Sequence, residues 1–90
     1  MNKKELVEKI AAKRGISKAS AARALDAVLA TMTGVMEKGE RVTITGFGSF
    51  RVIERVEKRG RNPQTGQGII IPARKVVKFK PGKNLFERIQ

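Results

Sequence analysis

Residues 55–68 read Arg55-Val56-Glu57-Lys58-Arg59-Gly60-Arg61-Asn62-Pro63-Gln64-Thr65-Gly66-Gln67-Gly68. Only Val56 and the ring of Pro63 are clearly apolar in that run, so it has almost nothing with which to build a core. Gly60, Asn62-Pro63, Thr65-Gly66 and Gly68 are turn formers. Phe50 and Val52 before the run, and Ile69-Ile70-Ile71, Val76, Val77 and Phe79 after it, have strand character. The pattern predicts a long two-stranded ribbon over about 53–76 with its tip near 61–66. Such a ribbon is marginal in water on its own, and this one is expected to be mobile until something binds it.

Working outward, Val42 and Ile44 alternate with Thr43 and Thr45. A tight Gly46-Phe47-Gly48 turn follows, so about 41–52 reads as a hairpin. Towards the N-terminus the period changes to that of a helix. Asn2 and Glu5 have the spacing of a capping box, Leu6, Val7, Ile10 and Ala11 recur on one face, and Gly15 supplies a left-handed stop. This predicts a first helix over about 3–14. Ser17 is a second N-cap candidate. Ala22, Leu25, Val28, Leu29, Met32, Val35 and Met36 then recur every three or four residues, predicting a helix over about 18–38 that ends at Gly39. Alanines and Gly34 fill much of its remaining surface, so it is expected to pack on helix 1 on one side and on a partner chain on the other. Pro81-Gly82 closes the last strand, and Leu85, Phe86 and Ile89 suit a short final helix.

Ninety residues allow one domain at most, and a monomer of that size buries too little surface to be more than marginal. With the arm subtracted from the core, an oligomer is favoured. The expected organisation is a single α+β domain over 1–90, helical to about 40, sheet and arm to about 81, and a closing helix over about 83–90. The chain has no Cys and no His. Disulfides, thiolate metal sites and the commonest metal ligand are therefore excluded, and lack of Cys fits a reducing cytoplasm. The opening Met1-Asn2-Lys3-Lys4-Glu5 has no continuous apolar stretch of the secretory type. The uncharged run Ala27–Met36 is too short to cross a bilayer.

Charge is the strongest compositional signal. There are 20 basic and 8 acidic residues, a formal net charge of +12. Residues 1–50 hold 9 basic and 5 acidic side chains, residues 51–90 hold 11 and 3, so +4 becomes +8 in the second part. Arg51, Arg55, Lys58, Arg59 and Arg61 lie on the outgoing limb of the ribbon, and Arg74, Lys75, Lys78 and Lys80 on the return. A basic edge can simply resist aggregation, but a shorter ribbon would achieve that. A cationic ribbon without a core face is suited to phosphates, whose neutralisation gives strong, salt-sensitive and largely sequence-independent affinity. Asn62-Pro63 can be read as a mere turn. Pro63 is also the one hydrophobic group at the apex of a cationic arm, where minor-groove proteins carry the wedge that unstacks bases and kinks the duplex.

Gly46-Phe47-Gly48-Ser49-Phe50 superficially matches an aromatic RNA-binding signature, but Ser49 spoils the spacing and two helices precede the first strand. Phe47, Phe50 and Phe79 are expected to fill the core instead. The carboxylates are scattered, and without His or Cys nothing assembles a nucleophile with its base. No enzyme, cofactor, small-molecule substrate or membrane partner is predicted.

Three segments together resemble bacterial HU and IHF subunits. They are Gly46-Phe47-Gly48-Ser49-Phe50, Gly60-Arg61-Asn62-Pro63-Gln64-Thr65-Gly66 and Phe79-Lys80-Pro81-Gly82-Lys83. The resemblance covers essentially the whole chain. It implies an intertwined homodimer with two N-terminal helices, a three-stranded antiparallel sheet carrying an extended two-stranded β-ribbon arm, and a short C-terminal helix. It implies that the arms enter the minor groove of double-stranded DNA, that Pro63 intercalates, and that Arg61, Asn62 and Gln64 flank it. Arg55, Lys58, Arg59, Arg74 and Lys75 would line the arm, and Lys3, Lys80 and Lys83 would reach phosphates from the body. Leu29, Met32, Ile44, Phe47, Phe50 and Phe79 would form the dimer core. The implied role is DNA bending with little sequence specificity and organisation of a cytoplasmic nucleoid.

Three positions depart from the usual HU pattern. Ile53 stands where a basic residue is common, Arg51 where an acidic one is common, and Val77 where proline is common. In a regular strand 51, 53 and 55 share a face, so the charge has moved along it, and Ile53 is left out of the DNA contacts. Arg74-Lys75-Val76-Val77 looks closer to an IHF subunit. A sequence-reading IHF-like heterodimer subunit therefore stays open at this point, as does an RNA-binding protein with the same charge.

Overall fold

The computed structural model describes every residue, Met1–Gln90. It has two compact units, Met1–Glu37 and Lys38–Gln90, taken in turn.

The first unit holds α1 (Lys3–Arg14) and α2 (Lys18–Glu37). Asn2 Oδ1 accepts the Glu5 N–H at 2.9 Å, which satisfies one of the orphan donors at the start of α1. The helix closes at Gly15, whose N–H donates to the Ala11 carbonyl. Ser17 Oγ accepts the Ser20 N–H at 3.0 Å, the N-cap bond expected for α2. The two helices meet through Val7, Ala11 and Ala21, with Ile10, Ala22 and Leu25 packed around them. Ala21 is completely buried. The small side chains of Ala11 and Ala21 bring the helix backbones close together, but they remove little apolar surface from water. Further along α2, Val28 and Leu29 are exposed.

The second unit holds β1 (Val42–Ile44), β2 (Gly48–Arg55), β3 (Lys58–Arg61), β4 (Gly68–Ile71), β5 (Arg74–Pro81) and α3 (Lys83–Ile89). Strands β1, β2 and β5 form an antiparallel sheet in that order, and β3 pairs with β4. The expected α+β class, with two helices first and one last, is the fold observed.

The ribbon differs from expectation in two ways. Its pairing starts deeper, at Gly48↔Pro81 rather than near residue 53, because β2 serves both the sheet and the arm. It is also interrupted, since Val56, Glu57, Pro72 and Ala73 lie outside the strands. Pro72 has no N–H to donate to the ladder, which accounts for the break on the return limb. The register does not slip across the gap. Arg55 faces Arg74 on one side of it and Lys58 faces Ile71 on the other, so two residues on each limb span the gap.

The aromatic residues cluster at the sheet end. The rings of Phe50 and Phe79 are 4.8 Å apart, and those of Phe47 and Phe79 5.5 Å. Gly48 makes this possible, because a Cβ there would sit 2.7 Å from the Phe79 ring and 2.6 Å from the Lys80 carbonyl oxygen. The Gly82 N–H donates to the Phe47 carbonyl at 2.8 Å and ties the hairpin turn to the start of α3. The cluster is nevertheless unfinished: Phe47 is 44% and Phe79 42% exposed. Within one chain these rings touch one another but are not enclosed. No helix is long and apolar enough to cross a membrane.

Candidate nucleic-acid interface

Along a strand, successive side chains point to opposite faces, and residues directly opposite on neighbouring strands share a face. The register therefore sorts every arm residue. One face carries Arg51, Ile53 and Arg55 from β2 and Lys80, Lys78, Val76 and Arg74 from β5. The gap spans two residues on each limb, so by strand parity the same face continues in Arg59 and Arg61 of β3, which are paired with Ile70 and Gly68 of β4. The other face carries Phe50, Val52 and Glu54 against Phe79, Val77 and Lys75, then Lys58 and Gly60 against Ile71 and Ile69.

All the arginines of the arm thus fall on one side, joined by Lys78 and Lys80. Every one of these cationic residues is exposed. The chain's ion pairs are Lys3 with Asp26 and Lys83 with Glu87, so none of the arm's positive charges has a carboxylate within bonding distance. Like charges held along one face repel one another, and an anion laid against them relieves that repulsion.

The residues singled out in the sequence divide accordingly. Arg55, Arg59, Arg61, Arg74 and Lys80 are brought together by the register. Lys58 and Lys75 lie on the other face, Lys75 directly across from Glu54. Arg51 and Lys78 face each other on the arginine side, yet they were left out of the expected contact set. The parity of residue numbers along β2 pointed to Arg51, whereas Lys78 needed the cross-strand pairing. Ile53 and Val76 sit opposite each other within the basic face and are partly buried. That fits the displacement of charge to Arg51 read from the sequence.

Lys3 belongs to the helical unit, where its Nζ lies 2.6 Å from Asp26 Oδ1. Lys83 opens α3 and reaches Glu87 Oε1 at 3.9 Å, one turn on. Both pairs are well exposed and are worth little in water, so either lysine can exchange its carboxylate for a phosphate.

At the tip, residues 62–67 form a loop closed at its base by the Asn62 N–H, which donates to the Gln67 carbonyl at 2.8 Å. The Gly66 N–H donates to the Asn62 carbonyl at 2.7 Å, and Gly66 has φ 71°, a conformation glycine adopts without steric cost. Pro63 stands exposed in this loop, beyond the last arginine of the outgoing limb.

This arrangement has close counterparts. The chain matches the family model described as bacterial DNA-binding protein over residues 1–90. It is 54% identical over 89 residues to DNA-binding protein HU-beta of Serratia marcescens, covering 99% of each chain. It is 48% identical over 90 residues to DNA-binding protein HU of Geobacillus stearothermophilus, covering 100% of both. Among solved structures, an Anabaena HU–DNA cocrystal structure matches with a TM-score of 0.90 and 42% identity, over 99% of this chain and 97% of that one.

Proposed function

The chain belongs to the HU family of bacterial DNA-binding proteins, and from that premise we propose that it is a homodimer whose two arms lie in the minor groove and bend the duplex by inserting Pro63. Architectural DNA binding is the family's activity. The observation that carries the finer reading is the arm itself. An unpaired arginine face leads outward to an exposed proline at the apex of a closed loop.

The arginine face supplies phosphate neutralisation, which is indifferent to sequence. The Pro63 ring supplies the wedge. Unstacking a base step costs a few kcal/mol, offset by the extra contacts that a bent duplex makes with the protein. Proline suits the role because its ring has few rotamers to lose on insertion. Little sequence specificity follows, since the groups involved are charges and an apolar ring rather than a set of base-reading side chains. Organisation of the nucleoid is the cellular role that such bending serves.

Self-association is supported by what one chain leaves uncovered. Leu29, Ile44, Phe47 and Phe79 are all more than a third exposed, and the fully buried core is limited to small residues. A second copy covering the aromatic cluster and the open side of α2 would bury the dimer-core set, Met32 and Phe50 included. Sedimentation of the purified chain, alone and with a short duplex, tests this, and a monomer at micromolar concentration removes the homodimer.

The test of the wedge is Pro63→Ala. It is expected to abolish most of the bend measured by FRET across a short duplex, while affinity and its salt dependence change little. An unchanged bend would remove intercalation from the mechanism.

A further inference from the structure

Asn62 is flanked by residues whose side chains are free, but its own is engaged. Asn62 Oδ1 accepts the Gln64 N–H at 2.9 Å, a bond that spans Pro63. The residue before a proline is confined to extended conformations, and an Asn there can reach two residues on to the backbone. The rest of the loop is tied as well. Thr65 Oγ1 accepts the Gln67 N–H at 3.3 Å, and the N–H groups of Asn62 and Gly66 are bonded within the loop. Arg61 and Gln64, by contrast, make no side-chain hydrogen bond within the chain.

We propose that Asn62 is a positioning residue for Pro63, holding the ring at the apex through its Oδ1–Gln64 N–H bond before DNA arrives, rather than a residue that reads bases. The inference rests on the wedge role given to Pro63 above. Its physical content is preorganisation. A loop already closed has less freedom to lose when the ring enters the base stack, so the bond contributes to bending without touching DNA.

Serine and alanine at position 62 separate the two roles. Serine keeps a short acceptor able to bond the N–H two residues on but has no amide NH2 to offer a base edge, and alanine has neither. In the free full-length protein, Asn62→Ala is expected to speed hydrogen exchange of the Gln64 amide, and Asn62→Ser to leave it slow. With DNA, Asn62→Ala should weaken formation of the bent complex about three- to tenfold, the net worth of one hydrogen bond, with the salt dependence unchanged. Asn62→Ser should recover most of that loss. Bending by Asn62→Ser as poor as by Asn62→Ala would overturn the proposal in favour of a direct amide contact. So would normal bending by Asn62→Ala. Pro63→Ala measured alongside separates the two readings. If it bends DNA normally the wedge itself fails, whereas if it fails to bend while Asn62→Ala bends normally, only the positioning role is lost.

Discussion

The helical unit and the arm use their side chains in opposite ways. In Met1–Glu37 the informative residues are small and hidden: Val7, Ala11 and Ala21 bring two helices together, and the Lys3 charge is answered by Asp26. In the arm the informative residues are long, charged and exposed, and no carboxylate answers them. The first region spends its composition on folding. The second, with little to bury, holds a charged surface ready for a polyanion. Substitutions in the two regions should therefore fall on different measurements, stability for one and DNA affinity for the other.

The sharpest break of that comparison is the triple change Arg55→Ala, Arg59→Ala, Arg61→Ala. If each arginine on the two arms of the dimer neutralises one phosphate, six charges are lost and the slope of log affinity against log salt should fall by about 5.4. Affinity in 0.1 M salt should drop on the order of a hundredfold or more. The melting temperature should hardly move, because none of the three is buried. The paired control, Lys58→Ala with Lys75→Ala, removes charge from the other face and should cost much less. Equal losses for the two sets would show that the face assignment has no bearing on binding.

Next in size is Ala21→Leu. Ala21 is wholly enclosed between α1 and α2, and overpacking such a site costs about 1–3 kcal/mol. Thermal or urea unfolding should register the loss, while DNA affinity per folded molecule stays near that of the parent. A large affinity change in fully folded protein would mean that the two regions are coupled.

The smallest expected effect is Asp26→Asn, which frees Lys3 from its partner. Stability should change by no more than about 1 kcal/mol, as for other exposed pairs. If Lys3 of each chain meets a phosphate, the salt slope should steepen by up to about 1.8 for the dimer. An unchanged slope would place Lys3 outside the interface.

Much of this was legible in the residues. The helical periods of about 3–14 and 18–38, the Asn2 and Ser17 caps and the strand alternation are local patterns, and the helices formed where those patterns lay, the second ending one residue earlier at Glu37. The arm was legible for a negative reason, the want of apolar residues between Arg55 and Gly68. Its interruption at Val56-Glu57 and Pro72-Ala73 was not foreseen. Pro72 signals it only once its place in a paired strand is known. Arg51 was placed on the face of Arg55 but not among the DNA contacts, and Lys78 was noticed only as a charge. The Asn62–Gln64 bond was hidden inside a segment read as a turn carrying a wedge, with Asn62 taken as a flanking contact.

Composition and periodicity were enough to settle the kind of elements, the site of the arm and its excess of positive charge, because those properties belong to residues and their near neighbours in the chain. They were not enough to settle which charges stand together. That depended on the pairing of Arg51 with Lys78 and of Arg55 with Arg74. A strand shows a new face at every residue, so a shift of one place in register would exchange the arginine side for the apolar one. Only the folded pairing chooses between those two arrangements.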